Sequence, residues 1–260
     1  MTGEFITHKK WITPMIEQLW KEYNEKRTSK ERDQLIIACL SYVKSTAQRL
    51  SIYANPAQDA DDLANAGIIG LMDAIERYDP SKGASFKNYA QYRVRGSMMD
   101  EIRSMDWVPY STRDKARRIE RVYAELENNG DSSPNEEDIA KAMGITLQQY
   151  YDTLLEINRM TISLLDDIFY DDDDVTRDDD TNDPEKDLLM TEAEALMGEA
   201  IERLPEKEKL VITLYYYEEM TMKDIGKMIN LTESRVCQIH SNAILRLHAR
   251  LKFINVEVSV

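Results

Sequence analysis

The sequence predicts an all-α fold, made of three small helical domains joined by linkers and ending in a helix-turn-helix, and three observations carry this prediction. Leu, Ile, Ala, Met, Glu and Lys recur at helical spacing with few strand-like alternations, and only nine glycines interrupt 260 residues. The length points to two or three units, since a domain usually holds about 100–150 residues. A nine-residue pattern occurs twice: Asp138-Ile139-Ala140-Lys141-Ala142-Met143-Gly144-Ile145-Thr146 returns as Asp224-Ile225-Gly226-Lys227-Met228-Ile229-Asn230-Leu231-Thr232. Each copy reads as a short helix, a turn at Gly144 or Asn230, and a Thr that caps a second helix.

The first domain is expected over 11–108. Trp11, Ile12, Met15, Ile16, Leu19, Trp20 and Tyr23 form one apolar stripe, whose two tryptophans require a partner surface. Leu35, Ile36, Cys39, Leu40, Val43, Ala47 and Leu50 form a second, with Ser29 as its candidate N-cap. Leu63, Gly67, Leu71, Ala74 and Ile75 form the core face of a third helix, on which Gly67 and Gly70 leave room for a close neighbour. Asp62, Asn65, Met72 and Asp73 cannot all face that core, so a mixed polar and apolar surface remains outside. Turn chemistry at Asp79-Pro80-Ser81-Lys82-Gly83 ends the helix.

Beyond the turn, Phe86, Tyr89, Tyr92, Arg93, Arg95, Met98, Met99 and Trp107 interleave rings with cations. Residues 81–118 hold nine Lys or Arg against four Asp or Glu, while the chain totals -15. Two readings stand side by side: a core face with solvated arginines, or a nucleic-acid surface in which arginines meet phosphates and rings stack on unpaired bases.

Pro109 sets a boundary, and a middle domain follows over 109–164, containing the first copy of the repeat. Arg113, Lys115, Arg117 and Arg118 open its first helix as a basic face that suits either a phosphate backbone or solvent. Residues 165–190 form an acidic linker; within 166–183 there are ten Asp and one Arg, too few apolar groups to fold alone. The C-terminal domain over 191–254 holds the second copy. In its last helix Val236, Ile239, Ala243 and Leu247 are expected in the core, and Glu233, Ser234, Arg235, Gln238, Ser241 and Asn242 on the free face. That placement suits a recognition helix, with Arg matched to guanine and Gln to adenine. The second helix of the first copy, Leu147 to Asn158, carries no Lys or Arg and reads as structural.

Cys39 and Cys237 lie far apart, which argues against a disulfide framework. No apolar run reaches the roughly 18 residues of a membrane span, and charged and polar residues are spread throughout the N-terminal stretch, so a soluble cytoplasmic protein is expected. His8, His240 and His248 have no ligand spacing, and no nucleophile, phosphate loop or catalytic carboxylate pair stands out, so neither an enzyme nor a cofactor or metal is expected.

The runs DLANAGIIGLMDAIERYDP and SFKNYAQYRVRGSMMDEIRSMDWVP resemble the core-binding and promoter-melting segment of bacterial RNA polymerase sigma factors, and LTESRVCQIHSNAILRL resembles their minus-thirty-five-reading segment. The ending DEIRSMDWVP is most similar to alternative sigma factors of the flagellar and sporulation-related group. The resemblance implies that Asp62, Asn65 and Met72 dock on core RNA polymerase, and that Tyr89, Tyr92, Arg93 and Arg95 engage the minus-ten element and the separated strand. It places Asp100, Glu101 and Arg103 at minus-ten reading positions, and Glu233, Ser234, Arg235, Gln238 and Ser241 on minus-thirty-five DNA. Primary sigma factors carry a tryptophan pair where this chain has Tyr92-Arg93, which implies weaker wedge stacking and stricter dependence on promoter sequence. The implied partners are core RNA polymerase, promoter DNA and an anti-sigma factor, with the free protein a monomer. The implied programme is motility, with sporulation or development as the runner-up. Two rivals stay open on the residues alone: a dimeric helix-turn-helix regulator reading a palindrome, and an acidic scaffold that binds proteins only.

Overall fold

The computed structural model describes residues 13–54, 58–105, 110–128, 134–158 and 195–258, and within them every regular element is helical. Trp11, Ile12, Trp107, the Pro109 boundary and the acidic linker lie outside the described residues. The chain divides into two compact units, Met1–Trp107 and Val108–Val260.

Unit 1 contains α1 (Thr13–Lys26), α2 (Ser29–Leu50), α3 (Ala60–Arg77) and α4 (Phe86–Met105). The cap of α2 is Thr28, in extended conformation, rather than Ser29, which is the first helical residue. Asp59 caps α3 by accepting the N–H groups of Asp61 and Asp62, each at 2.9 Å. Asp62 returns a carboxylate oxygen to the Asp59 N–H at 3.0 Å, completing a capping box. The predicted core face of α3 is buried, and α4 approaches it so closely that a Cβ on Gly70 would stand 2.7 Å from the Arg93 carbonyl oxygen. A Cβ on Gly67 would run into the end of Met98. Between the two helices Asp79 accepts the Ser81 N–H at 2.9 Å and Gly83 takes φ +82°, the left-handed conformation the turn requires.

Unit 2 contains α5 (Tyr110–Asn128), α6 (Glu136–Met143), α7 (Leu147–Asn158), α8 (195–202), α9 (Glu206–Ile212) running into a π-turn at Thr213–Tyr217, α10 (Met222–Ile229) and α11 (Glu233–Val258). Both copies of the repeat are helix-turn-helix units with a left-handed turn residue, Gly144 at φ +68° and Asn230 at φ +57°. Thr146 and Thr232 accept the N–H groups of Gln149 and Arg235, each at 3.2 Å, as their positions require. In the second copy a Cβ on Gly226 would stand 2.6 Å from the Leu231 carbonyl oxygen, so the tight turn depends on glycine there.

The stretches 109–164 and 191–254 do not keep separate cores: Ile119, Tyr123, Tyr150 and Leu154 lie in one continuous apolar cluster with Ala243, Ile244, Leu247 and Leu251. The reason is α11, which packs against α5, α7, α9 and α10 and is therefore buried all round from Ile239 to Ala249. The side chains that complete this packing are polar as well as apolar. Asn242 accepts from the hydroxyls of Tyr123 and Tyr150 and donates to Glu208 at 2.8 Å. Arg246, 1 % exposed, lies 3.1 Å from the Glu208 carboxylate, donates to the Pro134 carbonyl oxygen at 2.9 Å, and stacks its guanidinium over Tyr123.

Candidate nucleic-acid and polymerase interfaces

On α3, Asp62, Asn65, Ile69, Met72, Asp73 and Glu76 follow one another at steps of three, four, three, one and three, so they share one helical face. Asp62 and Asn65 are exposed and Met72 is half-buried. Ile69 sits at the middle of the face and is 68 % exposed. The sequence reading missed it, although its spacing of four from Asn65 and seven from Asp62 was visible. Its neighbours one turn away on this face are Asn65, Met72 and Asp73, and an exposed apolar side chain in such a polar surround suits a protein partner.

On α4, Tyr89, Tyr92, Arg93, Asp100 and Arg103 also fall along one face, with Arg95 turned to its side. Tyr92 is 63 % exposed, whereas Tyr89 is half-buried and leans on Tyr78 with ring centroids 5.7 Å apart. Phe86, Met98 and Met99 are core, as the core-face reading expects, while Tyr89 and Arg93 are half-buried and Tyr92 and Arg95 are exposed. Arg93 is ion-paired with Asp73 of α3, whose other carboxylate oxygen takes Arg77 at 2.6 Å. Arg103 pairs with Asp100 at 3.3 Å, and Glu101 receives the Gln58 side chain at 3.3 Å. Among its described residues the stripe therefore offers one exposed ring, Tyr92, an exposed Arg95 and two arginines already holding carboxylates.

The first turns of α11 differ. Glu233 and Ser234 are exposed, but Arg235 donates to both carboxylate oxygens of Glu136 at 3.1 and 2.8 Å, reaches Gln238 at 3.2 Å, and lies 4.6 Å from the Tyr151 ring centre. Tyr151 in turn donates to Glu136 at 2.7 Å. Burial alone would pull the Arg235 pKa down; the Glu136 carboxylate outweighs it and raises it. The expected free face needs correcting at Ser241 and Asn242, which are 0 % and 1 % exposed. Ser241 donates to Asn158 at 3.1 Å and Asn242 belongs to the Glu208 network. Arg246 and Arg250 of the same helix are likewise held internally, Arg246 on Glu208 at 3.1 Å and Arg250 on Glu127 at 2.6 Å. Among the basic residues opening α5, Lys115 is paired with Glu156 and Arg118 donates to the Met143 carbonyl oxygen at 2.8 Å, leaving Arg113 and Arg117 exposed.

No group of three or more His, Cys, Asp or Glu among the described residues is placed to hold a metal ion. No helix among them is long and apolar enough to cross a membrane.

Three family models match the chain: Sigma-70 region 2 over residues 35–108, Sigma-70 region 3 over 114–188 and Sigma-70 region 4 over 200–249. RNA polymerase sigma factor FliA of Escherichia coli K12 is 41 % identical over 214 residues, covering 80 % of this chain and 89 % of the relative. The chain belongs to the sigma-70 family of RNA polymerase sigma factors. This sigma factor is also 34 % identical over 235 residues to the RNA polymerase sigma-D factor of Bacillus subtilis, covering 88 % of the chain and 92 % of the relative. Among solved structures, the flagellar sigma/anti-sigma complex of sigma-28 with FlgM contains a chain 32 % identical, matched with a TM-score of 0.52 over 85 % of this chain and 96 % of that one. Region 2 of the sigma factor thus carries the α3 and α4 stripes, and region 4 carries α11 up to Ala249.

Proposed function

We propose that this protein is a specialised sigma factor that binds core RNA polymerase and directs it to the promoters of flagellar and motility genes. The observation that carries the proposal is the pairing of α3 and α4: a face with Ile69 exposed among polar neighbours and an aromatic-basic stripe stand on adjacent helices of region 2, joined by a capped turn. A regulator that bound DNA alone would have no use for the first of these. Asp62, Asn65 and Met72, with Ile69 between them, are assigned to polymerase docking. Tyr89, Tyr92, Arg93, Arg95, Asp100 and Arg103 are assigned to minus-ten recognition and strand separation, with Tyr92 as the ring available for stacking. Glu233, Ser234, Arg235, Gln238 and Ser241 are assigned to the minus-thirty-five element. For Arg235 and Ser241 that assignment requires release from Glu136 and Asn158. The protein works in the cytoplasm as a non-catalytic subunit, is a monomer when free, and takes an anti-sigma factor as a second protein partner.

Run-off transcription with purified core polymerase tests the proposal on a motility-type and a primary-type promoter. A start-site-specific transcript that needs the added protein, and comes only from the motility template, is the expected result. A protein that confers no initiation on core but shifts palindromic DNA alone is a self-sufficient regulator instead.

A further inference from the structure

Helix α4 begins with one of its backbone N–H groups taken by a side chain of another helix. In α3 and α6 one cap side chain, Asp59 or Asn135, accepts two successive backbone N–H groups, all at 2.9 Å. Ahead of α4 stands Ser85, whose hydroxyl accepts only the Asn88 N–H, at 3.2 Å. The Lys87 N–H goes to the Glu17 carboxylate of α1, at 3.2 Å and seventy residues away in sequence. A carboxylate there is favoured both as a charge-assisted acceptor and by the positive end of the helix dipole.

One turn along α1, Trp20 stacks on Phe86, the first residue of α4, at 5.9 Å between ring centroids and meets the Tyr78 ring edge-on at 4.8 Å. Tyr78 touches Phe86 at 5.4 Å and Tyr89 at 5.7 Å, and its hydroxyl is fixed on the Ala84 carbonyl oxygen at 2.7 Å. The short α1 thus grips the start of α4 through a backbone N–H and through a chain of rings that ends on Tyr89.

We infer that Glu17 is a positioning residue for promoter opening: by tethering the Lys87 N–H to α1 it sets the tilt of α4 and so the place of the stripe from Tyr89 to Arg103. The inference rests on the sigma-factor reading of α4 given above. A helix of twenty residues is about 30 Å long, so a tilt of about 5° at the first turn moves the far end by about 2–3 Å. Such a shift leaves the α3 face where it is and misplaces the stripe relative to a strand held by polymerase.

The test uses the full chain with core polymerase on a motility-type promoter, reading core affinity, unfolding midpoint and permanganate reactivity of unpaired thymines. Glu17→Ala is expected to lower the opened fraction about fivefold, the effect of one hydrogen bond, with core affinity unchanged. Glu17→Gln, which keeps an acceptor oxygen for the same N–H, is expected to open as the wild type does. Ser85→Asp added to Glu17→Ala supplies a local cap of the kind Asp59 provides. This double variant is expected to recover the unfolding midpoint without recovering opening. Opening restored along with the midpoint would reduce Glu17 to a cap and overturn the inference, as would wild-type opening by Glu17→Ala or equal impairment by Glu17→Gln. Absence of opening by the wild-type protein with core would instead sink the sigma-factor reading itself.

Discussion

Two helices were expected to present DNA-reading side chains on a free face, and the structure treats them in opposite ways. On α4 the stripe lies outside the core, with Tyr92 63 % exposed and Arg95 in solvent. On α11 Glu233 and Ser234 stay exposed in the first turn, but beyond them the helix is enclosed, with Arg235 held by Glu136 and Ser241 and Asn242 buried. Amphipathic spacing is similar in both; what differs is how many neighbours each helix has. α4 rests chiefly on α3, whereas α11 is enclosed by helices of both repeat copies. A helix covered on one side keeps a face for a ligand, and one covered on all sides must satisfy its polar groups internally.

The largest expected effect exploits that difference in burial. Glu208→Ala leaves Arg246 without its carboxylate and Asn242 without its acceptor in a dry core, and is expected to cost unit 2 about 3–5 kcal/mol in urea unfolding. Burial raises the Glu208 pKa even against the pull of Arg246, which marks how little solvent reaches the pair. Asp73→Ala in unit 1 removes a carboxylate from Arg93 and Arg77 at a half-exposed surface, and is expected to cost about 1 kcal/mol or less. Comparable losses at the two sites would mean that α11 is less enclosed than its contacts indicate.

Acidification is the next lever, and it acts through His240 of α11. The imidazole is fully buried against Tyr215 and Tyr216, and burial pushes its pKa from 6.5 down to about 3. The unfolded chain therefore takes up a proton below about pH 6.5 that the folded one refuses until about pH 3. Stability from this source is complete above pH 6.5 and falls through that window; at pH 5 the loss is about 2 kcal/mol. Glu208, whose folded pKa is raised, works in the opposite sense because its folded form takes up its proton first. His240→Gln keeps a polar group for Tyr216, whose hydroxyl lies 3.1 Å from the imidazole, and should flatten the fall between pH 7 and 5. An unchanged slope would place the titrating group elsewhere.

On the exposed helix the matching experiment is Tyr92→Ala. An exposed ring that stacks on an unpaired base contributes roughly 1–3 kcal/mol, so permanganate reactivity of promoter thymines should drop about tenfold with the protein's own stability unchanged. Unaltered strand opening would remove Tyr92 from the melting surface.

What could be read from the sequence was whatever depends on neighbours within a turn or two. The core face of α3, the glycines that admit α4, and both helix-turn-helix copies rest on local spacing and on caps such as Thr146 and Thr232. The α2 cap was off by one because Thr28 and Ser29 are both good cap residues and only backbone conformation separates them. Long-range partners were not legible. Nothing local to Arg235 announces Glu136, ninety-nine residues earlier, and nothing near Lys87 announces Glu17. Ser241 was misplaced for a related reason: helical periodicity assigns a second face to solvent by default, and only the packing of α7 shows that this face has a neighbour.

The smallest expected effect addresses that hidden partner directly. Glu136 accepts with both carboxylate oxygens from one guanidinium nitrogen of Arg235, which occupies a donor that an arginine would need to hold a guanine edge, and Tyr151 supplies the ring beneath it. The pair is partly solvated, with side-chain exposures of 31 % and 23 %, so its net worth is about 1 kcal/mol. Glu136→Gln keeps the shape and removes the charge, and the free protein should then bind a minus-thirty-five duplex about fivefold more tightly. Ser241 and Asn158 are untouched by the change and still bury part of the helix, so the gain should stay this small. A gain far above fivefold would mean that the Glu136 carboxylate alone closes the α11 face. No gain at all would mean that burial of Ser241 and Asn242 does so, and that Arg235 merely fills a space the duplex never reaches.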